Sequence, residues 1–216
     1  MRKLKRGPLP KFSEYHHILL LYIISEEIIG RQALSTRLEI GEGTIRTLIK
    51  KLIKIGVIKT SKKGCDLTDK GRKILSNLKD KIQYKPYMEA GTITLGIANA
   101  SVLVRKSSEK VKSGLEQRDA AIITGAMGAS TIIYTKNGPF MPGVKVDKST
   151  SARILVLSED MSMEIGDVLI IGTGEFKGEA EQAAWAAAYT LLDYDTIGEC
   201  SIGEKETWIA LLTGEI

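Results

Sequence analysis

Apolar positions in the first third of the chain recur at helical spacing and then shift to a short alternation. Tyr15, Ile18, Leu19, Tyr22 and Ile23 fall on one stripe, which predicts a helix from a Ser13 cap to Glu27. Gly30 ends that pattern, and Arg31 to Leu38 reads as a second short helix burying Ala33, Leu34 and Leu38. Ile40-Gly41-Glu42-Gly43 reads as a tight turn. A third helix is expected from Thr44 to a Gly56 cap, with Ile45, Leu48, Ile49, Leu52 and Ile53 on its apolar face. Val57 to Thr60 and Cys65 to Leu67 read as two strands joined by Ser61-Lys62-Lys63-Gly64. Thr68 or Asp69 then caps a fourth helix through Ile74, Leu75 and Leu78.

The remainder is richer in strand patterns. Thr92–Ile97, Ser101–Val104, Ala121–Thr124, Thr131–Thr135, Ile154–Leu157, Val168–Ile171 and Thr207–Leu212 are predicted strands. Val111 to Arg118 and Phe176 to Leu192 are predicted helices. The second of these is alanine-rich and apolar on most faces. Such a helix is buried, or packed on one face and shared with a partner on another, and the Trp185 region is the expected dimer element. The fold class is α+β: an N-terminal winged helix-turn-helix followed by a mixed α/β sandwich of undetermined strand order. The boundary is expected between Lys79 and Glu89, giving domains 1–84 and 85–216.

Charge separates the two parts more sharply than periodicity does. Residues 1–84 carry 19 Lys and Arg against 8 Asp and Glu, a net of +11, whereas residues 85–216 carry 12 against 18, a net of −6. A basic part joined to an acidic one suggests that one meets a polyanion and the other does not; a lysine-rich surface kept for solubility is the alternative. The uninterrupted apolar run Ile18 to Ile24 is far short of a membrane span, and none is longer. The basic start lacks the apolar core of a signal peptide. Cys65 and Cys200 form neither a metal pattern nor a disulfide framework, so a reduced cytoplasmic setting is expected. His16 and His17 read as helix-surface or core residues rather than ligands.

Because only one face of the third helix is apolar, the other is free to enter a groove of DNA. That face carries Thr44, Arg46, Thr47, Lys50, Lys51 and Lys54. Residues near the helix start reach base edges: Arg46 can bond a guanine through two acceptors, and Thr44 and Thr47 can touch phosphate or a thymine methyl. Lys50, Lys51 and Lys54 suit phosphate, as do Lys59, Lys62 and Lys63 at the hairpin tip. Any single lysine is as well explained by a solvated face; the set is not, because it falls on the two elements this motif presents to DNA.

The segment from Leu38 to Ile58, followed by Leu67-Thr-Asp-Lys-Gly71, resembles bacterial and archaeal winged-helix regulators. Gly43-Thr-Ile-Arg46 is similar to the start of the recognition helix in GntR-type regulators, and Leu67 to Gly71 resembles the end of the wing in MarR-like proteins. The resemblance covers residues 13 to 80 and implies that Thr44 and Arg46 occupy DNA-contacting positions. The layout also resembles a family of uncharacterised archaeal regulators whose second domain carries segments like Arg118-Asp-Ala120 and Gly125-Ala-Met-Gly-Ala129.

Two glycine features of the second part suggest ligand contacts. Gly172-Thr173-Gly174 follows a strand and precedes a helix, where backbone amides can hold an anion. Position 177 is Lys where a dinucleotide fingerprint needs Gly, and the Lys-Ser/Thr ending of a P-loop is absent. Glu175, Glu179 and Glu181 at the helix start would repel phosphate, so a turn and an acid-stabilised helix terminus is the competing reading. Gly125 and Gly128 read as a turn between two strands that allows close approach to a ligand, and Arg118 and Asp119 as recognition groups or a surface ion pair.

Residues 85–216 contain no histidine, no nucleophile elbow and no clustered metal ligands. Paired acids such as Glu159-Asp160 and Asp193-Tyr-Asp195 adjoin turns or element ends, where solvated carboxylates are common. The glycine-rich nucleotide motif of winged-helix-fused riboflavin kinases is not found. The sequence therefore predicts a non-enzymatic, dimeric regulator of double-stranded DNA that answers to a small-molecule effector, without cofactor, metal or membrane. The alternatives are a nucleotide- or phosphometabolite-binding enzyme with an autoregulatory winged helix, and a winged helix used on RNA or protein.

Overall fold

The computed structural model describes residues 15–192. Three helices come first: α1 (Tyr15–Glu26), α2 (Arg31–Leu38) and α3 (Glu42–Lys54). A hairpin of β1 (Ile58–Ser61) and β2 (Gly64–Leu67) follows, then α4 (Asp69–Lys81). The chain passes directly into β3 (Ile82–Lys85) and on through β4 (Ala98–Val104), α5 (Leu115–Ile123), β5 (Gly128–Thr135), β6 (Gly138–Phe140), α6 (Lys148–Asp160), β7 (Val168–Gly174) and α7 (Lys177–Tyr189). The class is α+β. The five later strands form one antiparallel sheet in the order β3-β4-β7-β5-β6. That sheet takes in Ile82–Lys85, so its edge strand spans the expected boundary at 84/85. The Ser13 cap and the strand at 207–212 lie outside the described residues, as do Asp193, Asp195 and Cys200.

Alternation along the central strands sorts the side chains onto two faces. Ala100, Val102, Val104, Ile133, Val168 and Ile170 join the core beneath α7, which is continuous with the N-terminal helices. Leu103, Ile132, Leu169 and Ile171 face the other way, onto Ile154, Leu157 and Met161. The result is a sheet between helical layers.

α1 differs from the expected one-sided helix. Every residue from Tyr15 to Ile24 is buried, because α3, α4, β2 and α7 surround it. α3 begins two residues before the expected start, so the 40–43 turn is shorter, and Ala33 lies exposed on α2. Ile53, assigned to the apolar face of α3, is 41% exposed. In contrast, the C-terminal end of α3 follows its glycine: Gly56 has φ +75°, its N–H bonds to the Ile53 carbonyl, and the Val57 N–H bonds to Leu52. This pairing satisfies two carbonyls that the helix would otherwise leave open. Thr68 caps α4 through its side-chain oxygen, which accepts from the Gly71 N–H at 3.1 Å.

Three predicted strands are not strands. Residues 92–97 form part of a 3-10 turn and a bent segment, because Gly96 must lie against Gly174, where a Cβ would come within 2.6 Å of the Gly174 carbonyl. The run Ala121–Thr124 is the end of α5, which starts later than the helix expected at 111–118. Its buried residues, Gln117 and Ala121, are one turn apart, and glycines with positive φ bound it at 114 and 125. Ile154–Leu157 belongs to α6, whose N-terminus is fixed by the Asp147 carboxylate accepting the Thr150 N–H at 2.7 Å. That bond holds the Asp147 carboxyl below its ordinary pKa.

Candidate nucleic-acid interface

The hairpin is held in place from below. Ile29 and Cys65 exchange backbone hydrogen bonds at 2.9 and 3.4 Å, which ties β2 to the residue preceding Gly30 and α2. Gly64, at φ +137°, sits so close to Ile29 that a Cβ would come within 2.7 Å of its backbone. The Thr68 hydroxyl donates to the Gly56 carbonyl at 2.7 Å, linking the far end of the hairpin to the end of α3. These contacts set the hairpin beside α3 with only Lys62 and Lys63 in its loop.

Between α3 and the hairpin lies an open cleft of about 380 Å³. Ile49 and Ile53 line it together with Thr60, Ser61 and Cys65, and Arg31, Arg46, Lys50, Lys62 and Lys63 surround it. Arg46, Lys50, Lys62 and Lys63 make no ion pair among the described residues. Four positive groups from two elements thus converge on one groove without neutralising acids. Such a groove concentrates positive potential and attracts a polyanion. Arg31 joins them from α2, although its Nε donates to Glu42 at 3.2 Å. Burial pushes the Cys65 thiol pKa up, so it lines the cleft as a neutral apolar group.

The other predicted contacts are distributed around this cleft. Thr44 is half-buried at the first turn of α3, and the Thr47 hydroxyl donates back to the Gly43 carbonyl at 3.0 Å. Lys51 is half-buried and Lys54 is exposed at the end of α3, both off the cleft lining. Lys59 is engaged by Asp66 at 3.5 Å, and Arg72 binds the same carboxylate at 2.8 Å. Partial burial would raise the Asp66 carboxyl, but Arg72 and Lys59 together hold it below the ordinary carboxylate range. Arg31 and the Asp66–Arg72 pair were not among the expected residues. A basic residue directly after the Gly30 break was the available signal for the first; the second needed the hairpin register.

The glycine-rich ligand candidates are placed differently from the loop reading. Gly172, Thr173 and Gly174 lie inside β7, all buried. Gly172 faces α7 so closely that a Cβ would come within 2.2 Å of the Ala184 nitrogen. The two glycines therefore admit the helix, and Thr173, on the opposite face, accepts a hydrogen bond from the Gly96 N–H at 2.9 Å. At the start of α7 the Glu179 carboxylate accepts the Glu175 N–H at 2.9 Å. Gly125 ends α5 and Gly128 opens β5, so this segment joins a helix to a strand rather than two strands. Arg118 and Asp119 form an exposed ion pair at 3.0 Å. Asp119 also borders an open cleft of about 580 Å³ on the outer side of α5, with Lys112, Glu116 and Ile123.

The proposed dimer helix is corrected outright. Trp185 is fully buried, and α7 is covered by β4, β7, α5, α1 and α2, so its stretch from Ala183 to Ala188 offers no surface to a partner. Tyr22 and Tyr84 pack on the indole at ring distances of 5.2 and 5.5 Å. Arg37 of α2 pairs with Glu181 of α7 at 3.0 Å, and the Gln182 side chain donates to the Leu38 carbonyl at 2.8 Å.

The molecule is thus an α+β protein in which a three-helix-and-hairpin unit, with a cationic cleft, is fused to a helix-covered antiparallel sheet. Residues 15–73 match the family model described as "PH0730-like, N-terminal domain", and residues 95–191 match a domain of unknown function, DUF4443. The hypothetical protein PH0730 from Pyrococcus horikoshii OT3 has a similar solved structure. It is 26% identical, with a TM-score of 0.69 over 88% of this chain and 100% of that one. No curated protein matches the chain. Among the described residues, no helix is long and apolar enough to cross a membrane.

Proposed function

We propose that this protein is a winged helix-turn-helix regulator that reads double-stranded DNA, with α3 as recognition helix and the β1–β2 hairpin as wing. The observation that carries the reading is the convergence of Arg46, Lys50, Lys62 and Lys63 on one cleft with no acid partner among the described residues. Arg46 stands toward the N-terminal end of α3, the part of a recognition helix that meets base edges. Lys62 and Lys63 at the hairpin loop neutralise the flanking phosphates. Ile53, exposed despite its apolar character, supplies a nonpolar contact for a sugar or a thymine methyl. Two copies bind two half-sites, and residues 85–216 hold the small-molecule effector; the reading assigns no catalytic step, and with DNA as partner the protein works in the cytoplasm.

The test is binding of the purified protein to a pool of genomic fragments at two salt concentrations, with sequencing of the bound fraction. A single enriched motif that survives the higher salt is expected. Arg46→Ala should then relax preference at one base pair by about 1–3 kcal/mol. Uniform binding that disappears with salt, or an equal loss on every sequence for Arg46→Ala, defeats the base-reading role.

A further inference from the structure

With α7 enclosed, a second copy must dock elsewhere, and the sheet offers one surface for it. The register sets Ala98 opposite Gly174 and Gly128 opposite Thr173, so the residues flanking these strand ends lie at the same end of the sheet. Leu95 is 92% exposed and Ile97 88%, and Phe176, Met127 and Ile122 are each about half exposed. Ile122 is placed there by Gly128, whose missing Cβ would lie 4.0 Å from its side chain. The central strands β4 and β7 bury their apolar residues on both faces, and the edge strand β6 exposes the single apolar side chain Phe140, so this end holds the cluster of exposed apolar residues on the sheet.

We propose that this sheet end, centred on Leu95, Ile97 and Phe176, is the surface on which a second copy of the chain docks. It gives a location to the two-copy part of the regulator reading and rests on that part alone. Five side chains at these exposures present roughly 500 Å² of apolar area, at the upper end of what a monomer shows as its largest patch. That matches the apolar centre of a standard interface of about 800 Å² per partner. The rim is self-complementary in charge: exposed Arg118 and Lys177 are offset by Asp119 and Glu175. A two-fold contact brings such a rim onto itself and can pair opposite signs. A nucleic acid or an anionic membrane would call for an excess of positive charge, which this rim lacks.

The experiment is sedimentation velocity on the full chain at tens of micromolar, with binding of a mixed-sequence DNA duplex measured in parallel. Wild type is expected at twice the 23.6 kDa chain mass. The double variant Leu95→Asp/Ile97→Asp should sediment as a monomer, while Ile165→Asp, exposed elsewhere, stays dimeric. If the aspartates impair folding, Leu95→Ser/Phe176→Ser reads the same contact through a lower dimer affinity. A monomeric wild type, or a variant that remains dimeric, overturns the proposal. Failure of the DNA reading appears separately, as loss of duplex binding by a wild type that still dimerises.

Discussion

Two helices of 13 residues, α3 and α7, do opposite jobs. α3 buries Ile45, Leu48, Ile49 and Leu52 and leaves its other face to Arg46, Lys50 and Lys54. α7 buries nearly everything it carries, including Glu181. Where α3 leaves Arg46 and Lys50 in water without an ion pair among the described residues, α7 buries the charge of Glu181 only with a partner, Arg37. The difference teaches where each kind of substitution will register. Changes on the free face of α3 should alter what the protein binds, and changes in α7 should alter whether it folds.

The largest expected effect tests the second half of that statement. Trp185→Ala should cost about 3–5 kcal/mol in a denaturant titration, since the indole packs on Tyr22 and Tyr84 at the centre of the core. Trp185→Phe should cost much less, because the indole N–H finds no hydrogen-bond partner among the described residues. Next in size, Arg37→Ala should destabilise by about 3 kcal/mol by leaving the Glu181 carboxylate buried without its cation.

Burial pushes the Glu181 carboxyl above its ordinary value of 4.5, against the opposing pull of Arg37 and Tyr84. The folded protein then binds this proton more tightly than the unfolded chain. The associated stability is present below 4.5 and is lost as pH rises through the shifted value. Glu181→Gln should remove that decline from a series of melts across the carboxylate range; an unchanged pH profile would assign the decline to other groups.

On the α3 side, Lys62→Ala should leave the melting temperature unmoved while lowering the slope of log K against log salt by about 0.9 per lost phosphate contact. Lys59→Ala should change that slope less, because Asp66 already engages Lys59. The smallest effect is expected at the cap of α4, where Thr68→Ala should cost about 1 kcal/mol of stability with base preference intact.

What the sequence made legible follows from how local each signal is. α2, the Gly56 cap, the hairpin and the Thr68 cap are set by residues within a few positions of one another. The cationic cleft was legible as two separate clusters, since Arg46 with Lys50 and Lys62 with Lys63 each lie on one element. Their convergence depends on Gly64 meeting Ile29, a contact between elements that neither segment announces. Ile154–Leu157 and Ala121–Thr124 are rich in β-branched or apolar residues, and tertiary packing against the sheet overrides that preference. Gly172 and Gly174 looked like a loop because glycine serves equally for a turn and for close approach of a helix. Only the position of Ala184 separates the two.

The passage from α4 to β3 has a mechanical meaning. Lys81 ends the helix and Ile82 begins the strand, with no residue between them, and the Tyr22 hydroxyl fastens α1 to the Ile82 carbonyl at 2.6 Å. Gly178 adds a second rivet, packed so close to Arg37 that a Cβ would come within 2.6 Å of its carbonyl. A joint of this kind transmits torque. Tilting α3 and the hairpin drags an edge strand with them, and twisting the sheet swings the cationic cleft as one piece, like a lever without a pivot of its own.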